Sequence, residues 1–114
     1  MELREVKKLI FDVQEAAGLI ESFVLGKSFQ DYQSDKMLQS AVERQFEIIG
    51  EAMRQAIGLD SSIESRVTAC RRIIDFRNRL AHGYSDVSAA VVWGIVERNL
   101  PLLITEVRGP LQEE

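Results

Sequence analysis

Ser61 to Gly83 reads SSIESRVTACRRIIDFRNRLAHG, and its periodicity decides the fold. Ser61 with Glu64 has the form of a capping box, so a helix is expected to start there and run to about His82. Gly83 then lets the chain turn away. On a helical wheel of about 100° per residue with Arg77 at zero, Val67, Cys70, Ile74 and Ala81 fall between about +20° and +80°. Ile73 and Leu80 fall near −40° and −60°, so Arg77 stands in the middle of the apolar arc. Arg71, Arg72 and Arg79 occupy the opposite, polar side.

The same period recurs on both sides of this stretch. Upstream, a first helix over about 2–25 aligns Leu3, Val6, Ile10, Val13, Ala17, Ile20 and Val24 and ends near Gly26. A second, over about 34–57, aligns Leu38, Val42, Ile49, Met53 and Ala56, with Gly58 as its stop. Downstream, Asp86 is a suitable cap for a fourth helix from Val87 to about Val107, closed by Gly109-Pro110. Pro101 lies inside it and has no N–H to donate to Glu97, which predicts a kink or short break near Leu100. No segment reads as a strand. Short connections between amphipathic helices favour antiparallel neighbours, and an all-α, up-and-down four-helix bundle is expected, as a single domain over 1–114.

Composition narrows the function. With 46 % hydrophobic and 28 % charged residues the chain is neither disordered nor a membrane protein in kind. Its longest apolar stretch, 89–96, is too short to span a bilayer. The sequence begins Met1-Glu2-Leu3-Arg4-Glu5, unlike a secretory signal, and Cys70 is the single cysteine, so a cytoplasmic protein with no disulfide and no cysteine metal site is expected. The net charge of −4 argues against a general nucleic-acid binder. Yet residues 66–82 hold five arginines and one acid, a local +4 that leaves −8 for the rest. Such a strip steers a polyanion to one place and repels it elsewhere.

Two residues of that strip carry chemistry. An arginine on an apolar arc is either satisfied by an acid or carbonyl groups, or kept for phosphate, whose oxygens match the guanidinium fork. His82 is the single histidine. It sits at a helix C-terminus, whose carbonyl end favours positive charge, and it is a residue type suited to proton transfer near neutral pH. On an unbroken helix it lies about 140° from Arg77, so the two flank a groove rather than stack.

Arg77-Asn78-Arg79-Leu80-Ala81-His82-Gly83-Tyr84 has the pattern Arg-x4-His-x-Tyr and resembles the signature of the HEPN superfamily. Ala41-Val42-Glu43-Arg44, Ile48-Ile49-Gly50-Glu51-Ala52 and Val92-Trp93-Gly94-Ile95-Val96 followed by Leu100-Pro101 resemble its HepT branch, so the likeness covers nearly the whole chain. It implies a HEPN-type bundle and an endoribonuclease toxin that needs no metal or other cofactor. Cleavage would proceed by attack of the ribose 2′-OH on the adjacent phosphate. By the same resemblance Arg77 stabilises the phosphorane charge, His82 acts as general acid or base, and Asn78 orients phosphate or His82. Tyr84 matches the tyrosine to which a partner antitoxin, a nucleotidyltransferase of the MntA type, adds AMP.

That chemistry needs an acid and a base, and the chain has one histidine. A homodimer built largely from the third and fourth helices is therefore expected, pairing two His82 and two Arg77 in one cleft. The competing reading is a non-catalytic helical interaction or nucleotide-binding partner, with Arg77 in a structural ion pair and His82 as a helix cap. Trp93, Phe11, Phe46 and Phe76 read as core or interface residues. Cys70 reads as a small core residue, Glu43, Glu47 and Glu51 as a solvated face, and Asp31 and Tyr32 as a loop that packs locally.

Overall fold

A computed structural model describes residues 2–82 and 87–112, and the described residues form eight helical segments and no strand. They are α1 (Glu2–Val24), α2 (Phe29–Gln33), α3 (Lys36–Leu59), α4 (Ser62–Arg66), α5 (Cys70–Ala81), α6 (Ala89–Arg98), α7 (Leu100–Glu106) and α8 (Arg108–Gln112). The four expected helices survive as α1, α3, α4 with α5, and α6 with α7, in a helical bundle of HEPN type. α3 is central and packs against α1 and α5, while α7 and α8 close over α1 and α2 leans on α6. None of these helices is long and apolar enough to cross a membrane.

Periodicity dictates what is buried. Val6, Ile10, Val13, Ala17 and Ile20 of α1 meet Leu38, Val42, Phe46, Ile49 and Met53 of α3 in one core. Each large side chain removed from water there contributes roughly 1.5–3 kcal/mol. Phe46 and Phe76 meet edge-on at 5.3 Å and lock α3 to α5. Leu3, by contrast, is 46 % exposed, and Phe11 is exposed at 50 % rather than core.

The breaks are where expectation and structure part. Gly26, at φ +76°, ends α1 as expected. The loop that follows contains α2, whose Ser28 and Asp31 form a reciprocal capping box. Gly58 does not stop α3, which continues to Leu59 and is capped at Asp60. The box expected at Ser61 and Glu64 does not form: Ser61 makes no capping hydrogen bond, and Asp60 instead accepts from Ser62 N and Oγ at 3.0 and 2.6 Å. The third helix is also interrupted at 67–69, where Val67 is extended and Thr68 donates from N and Oγ1 to Glu106 Oε1 at 2.9 and 3.1 Å. The carboxylate from α7 satisfies a donor that the interrupted helix leaves open.

Ser88, accepting from Val91 N at 3.3 Å, caps α6, so the fourth helix starts two residues later than expected; Asp86 lies outside the described residues. The expected break near Leu100 is present, at Asn99, with Pro101 in the first turn of α7 where no N–H is required. Gly109-Pro110 does not close the chain's helical part but lies in α8, with Pro110 buried.

Candidate catalytic site

α5 is held by Cys70, Ile73, Ile74 and Phe76, all buried, and this anchoring fixes its last turn. Burial pushes the Cys70 thiol up to about 11, with the nearby Glu64 adding to the shift, which agrees with a core role. The turn ends at His82, whose backbone N–H donates to Asn78 O at 3.1 Å. The His82 Nδ1 lies 2.7 Å from the same carbonyl oxygen. A carbonyl only accepts, so Nδ1 bears a proton and Nε2 holds the lone pair of the neutral ring. That is the tautomer a general base requires, and His82 itself is exposed.

Arg77 points the other way, toward α3. Its Nη1 donates to Asn78 Oδ1 at 3.1 Å and its Nη2 lies 3.4 Å from Glu51 Oε1. Its side chain is 28 % exposed, so the apolar-arc position resolves into a half-buried guanidinium with an acidic neighbour. The Nε is buried with no hydrogen-bond partner among the described residues. Asn78 thus joins the two motif residues, with its side chain on Arg77 and its carbonyl under His82. No direct Arg77–His82 bond is part of this arrangement; their union through Asn78 follows the expected divergence on the wheel.

Two residues that seat Arg77 were not assigned this role from sequence. Gly50 lies under its stem: a Cβ there would stand 2.6 Å from Arg77 Cγ and 3.3 Å from the Ile73 carbonyl. A glycine inside a helix costs about 1 kcal/mol relative to alanine, a signal that something needs the space. Glu51, read as part of a solvated face, supplies the countercharge. Its carboxyl is held down at about 2, first by hydrogen bonds from Arg54 and Gln55 and then by the charges of Arg54 and Arg77. Glu47 pairs with Arg44 at 3.4 Å, as a solvated face predicts. Glu43 is half-buried, and burial, followed by the charge of Glu47, raises its carboxyl above the usual range.

Arg77 and Ala81 line a cleft of about 610 Å³ whose other walls are Lys8 and Asp12 of α1 and Arg44 and Glu51 of α3. Its mixed charges suit a polar ligand better than an apolar one. On the far side of α5, Arg71 is paired with Glu64 at 3.1 Å, whereas Arg72 and Arg79 face α6. Gly83 and Tyr84 lie outside the described residues.

Comparison with known proteins identifies relatives of this chain. Residues 13–108 match the family model described as Ribonuclease HepT-like. A Thermococcus cleftensis protein named as a probable ribonuclease HepT is 34 % identical over 100 residues, covering 88 % of this chain and 90 % of the relative. A Methanocaldococcus jannaschii protein is 31 % identical over 107 residues, covering 94 % and 97 %. One from Caldanaerobacter subterraneus subsp. tengcongensis is 34 % identical over 102 residues, covering 90 % and 89 %. No solved structure matches the chain significantly. With the family model spanning most of its length, the chain belongs to the HepT-like family of ribonucleases.

Proposed function

We propose that this ribonuclease is the toxin of a toxin–antitoxin pair and cleaves RNA without a metal, through Arg77, Asn78 and His82. The supporting observation is the arrangement about Asn78, which ties a guanidinium and a base-competent imidazole to one helix end. In the reaction, Nε2 of one His82 takes the 2′-OH proton as that oxygen bonds to the adjacent phosphorus. The bond from phosphorus to the 5′-oxygen breaks, and the leaving oxygen takes a proton from the His82 imidazolium of a second copy. The products are a 2′,3′-cyclic phosphate and a 5′-OH. Arg77 stabilises the charge on the phosphorane oxygens.

An under-satisfied Arg77 favours this role over a purely structural one. A buried donor without a partner costs about 1–3 kcal/mol, so a guanidinium that shifts onto phosphate and gains bonds is stabilised by doing so. The lone histidine requires two copies, and a homodimer pairing the C-terminal ends of α5 supplies both proton carriers. The partner antitoxin, an MntA-type nucleotidyltransferase, adds AMP from ATP to the Tyr84 hydroxyl with release of pyrophosphate. The added phosphate and nucleoside occupy the groove beside His82.

The Glu51–Arg77 pair also fits a second reading, a non-catalytic module with a structural ion pair. Incubation of the purified chain with RNA in excess EDTA separates the two. Catalysis yields fragments ending in 2′,3′-cyclic phosphate, and His82→Ala abolishes them with folding intact. Equal fragmentation by parent and His82→Ala overturns the catalytic assignment. With the nucleotidyltransferase and ATP, an AMP mass on Tyr84 and loss of cleavage are expected, and an adduct elsewhere refutes that role.

A further inference from the structure

The face of α5 opposite Arg77 carries Arg72, Asp75, Arg79 and His82 at helical spacing, so a row of charge leads along the axis to the histidine. Arg72 and Arg79 are seven residues apart, about 10 Å along the helix. Beside this row lies a trough whose apolar wall is Val91 and Ile95 of α6. It continues through Ala90, Gly94 and Arg98. It ends in a hollow lined by Trp93 and Phe29, with Lys27 and Arg98 beside them and Glu97 at the rim. The three hollows share walls, Arg72, Val91 and Ile95 between the first two and Ala90, Gly94 and Arg98 between the last two, so they form one channel.

Three features of this channel are not explained by packing. Arg72 and Arg98 make no ion pair among the described residues, whereas Arg71 on the same helix is paired with Glu64. Val91 is 40 % exposed in a helix that buries Val92, Ile95 and Val96. A Cβ at Gly94 would meet nothing within 4 Å, so no neighbouring helix requires the glycine and the floor is open. Trp93 itself is held by buried Tyr32 at 5.4 Å and flanked by Phe29 at 6.5 Å, which makes it a fixed aromatic platform rather than a loose surface ring.

The geometry points to a binding track for single-stranded RNA that runs from His82 to Trp93, with Arg72, Arg79, Arg98 and Lys27 along the phosphates and a base stacked at Trp93 and Phe29. Cations interleaved with an aromatic platform are what an unpaired strand recognises, since every base has a face to stack. A duplex keeps its bases stacked inside and cannot use the platform. A second copy on this face is disfavoured, because a two-fold contact would bring the unpaired Arg72 and Arg98 of both copies together. Pairing at the α5 ends leaves the track open. The track rests on the ribonuclease reading but can be tested apart from cleavage.

Trp93 is the only tryptophan, so its fluorescence reports the far end of the track. Titration of the full chain with a single-stranded DNA oligonucleotide, which lacks the 2′-OH and is not cut, should quench that fluorescence with an affinity that falls steeply with salt. Lys27→Glu with Arg98→Glu should weaken binding about tenfold or more. Gly94→Leu should also weaken binding, because it fills the floor while leaving the core untouched. A duplex of the same length should leave Trp93 unquenched. Quenching in a preparation that cuts no RNA would uphold the track and sink the cleavage reading. RNA cleavage with no quenching, or with affinity unmoved by these variants, would overturn the track and leave cleavage standing. If the variants instead change the sedimenting mass, the channel is an interface between copies and the proposal falls.

Discussion

Gly50 lies directly beneath the aliphatic stem of Arg77, and the next residue, Glu51, faces the guanidinium across 3.4 Å. A hydrogen atom in place of a side chain and a carboxylate one position on make a seat for the arginine in the wall of α3. The seat determines where the positive charge stands relative to the helix end that carries His82.

Filling the seat should displace the arginine. Gly50→Val is expected to lower stability by about 1–3 kcal/mol, the usual cost of overpacking, and to cut RNA cleavage about as much as Arg77→Ala does. Gly58→Ala is the control: its Cβ meets nothing within 4 Å, and a better helix former should stabilise by up to about 1 kcal/mol. Denaturation curves and cleavage rates measure both. A Gly50→Val protein with parental stability and activity would remove the seat from the account.

Asn78 and His82 should separate by size of effect. On the proposed mechanism His82→Ala removes the proton carrier and should cost about 10²–10⁴ in rate. Asn78→Ala takes away the acceptor of Arg77 Nη1 but leaves the carbonyl that holds His82 Nδ1, so a loss nearer tenfold is expected. Single-turnover rates on one RNA give the order, and Asn78→Ala as damaging as His82→Ala contradicts this division of roles.

Acid should spare the Arg77 seat longer than an ordinary ion pair. The Glu51 carboxyl is depressed to about 2, so its contribution is present above the usual carboxylate range and is lost only as pH falls toward that value. Glu43 runs the other way: burial raises it, so its charged form opposes folding at neutral pH and protonation on acidification relieves that opposition. Carboxyl carbon shifts followed by NMR should show Glu43 titrating well before Glu51. Titration in the reverse order is incompatible with the arrangement.

Tyr32 offers a test of stability. Its ring is fully buried, its hydroxyl has no partner among the described residues, and burial with the nearby Glu43 raises the phenol above its ordinary range. An unmade bond at a buried hydroxyl costs about 1–3 kcal/mol, so Tyr32→Phe should be neutral or stabilising by about 1 kcal/mol. A loss of more than about 1 kcal/mol on thermal or chemical unfolding would show that the hydroxyl is satisfied after all.

How much of this was legible in sequence depended on whether the cause was local. The stripe Val6, Ile10, Val13, Ala17 and Ile20, the turn at Gly26 and the break before Pro101 follow from periodicity and backbone chemistry, and all are present. The interruption at 67–69 was not legible, because Val67 continues the apolar period and the bond that holds the gap comes from Glu106, 38 residues away. The capping-box pattern occurs twice, at Ser28-Asp31 and Ser61-Glu64, and at the second the Glu64 N–H donates to the Ser61 carbonyl while the Glu64 carboxylate accepts from Arg71. At the site, the divergence of Arg77 and His82 could be read from the wheel. The acid that meets Arg77 could not, since Glu43, Glu47 and Glu51 share one face and only packing selects the last.

The bond from Thr68 to Glu106 also sets an order of assembly. α5 begins two residues after Thr68, so the amino end of the helix that carries Arg77 and His82 is secured only after α7 has been made and docked. On a ribosome that emits the chain from its amino end, the nuclease would therefore remain unfinished until Glu106 has emerged. A truncated product ending before Glu106 would carry the whole motif yet lack the tie that holds it.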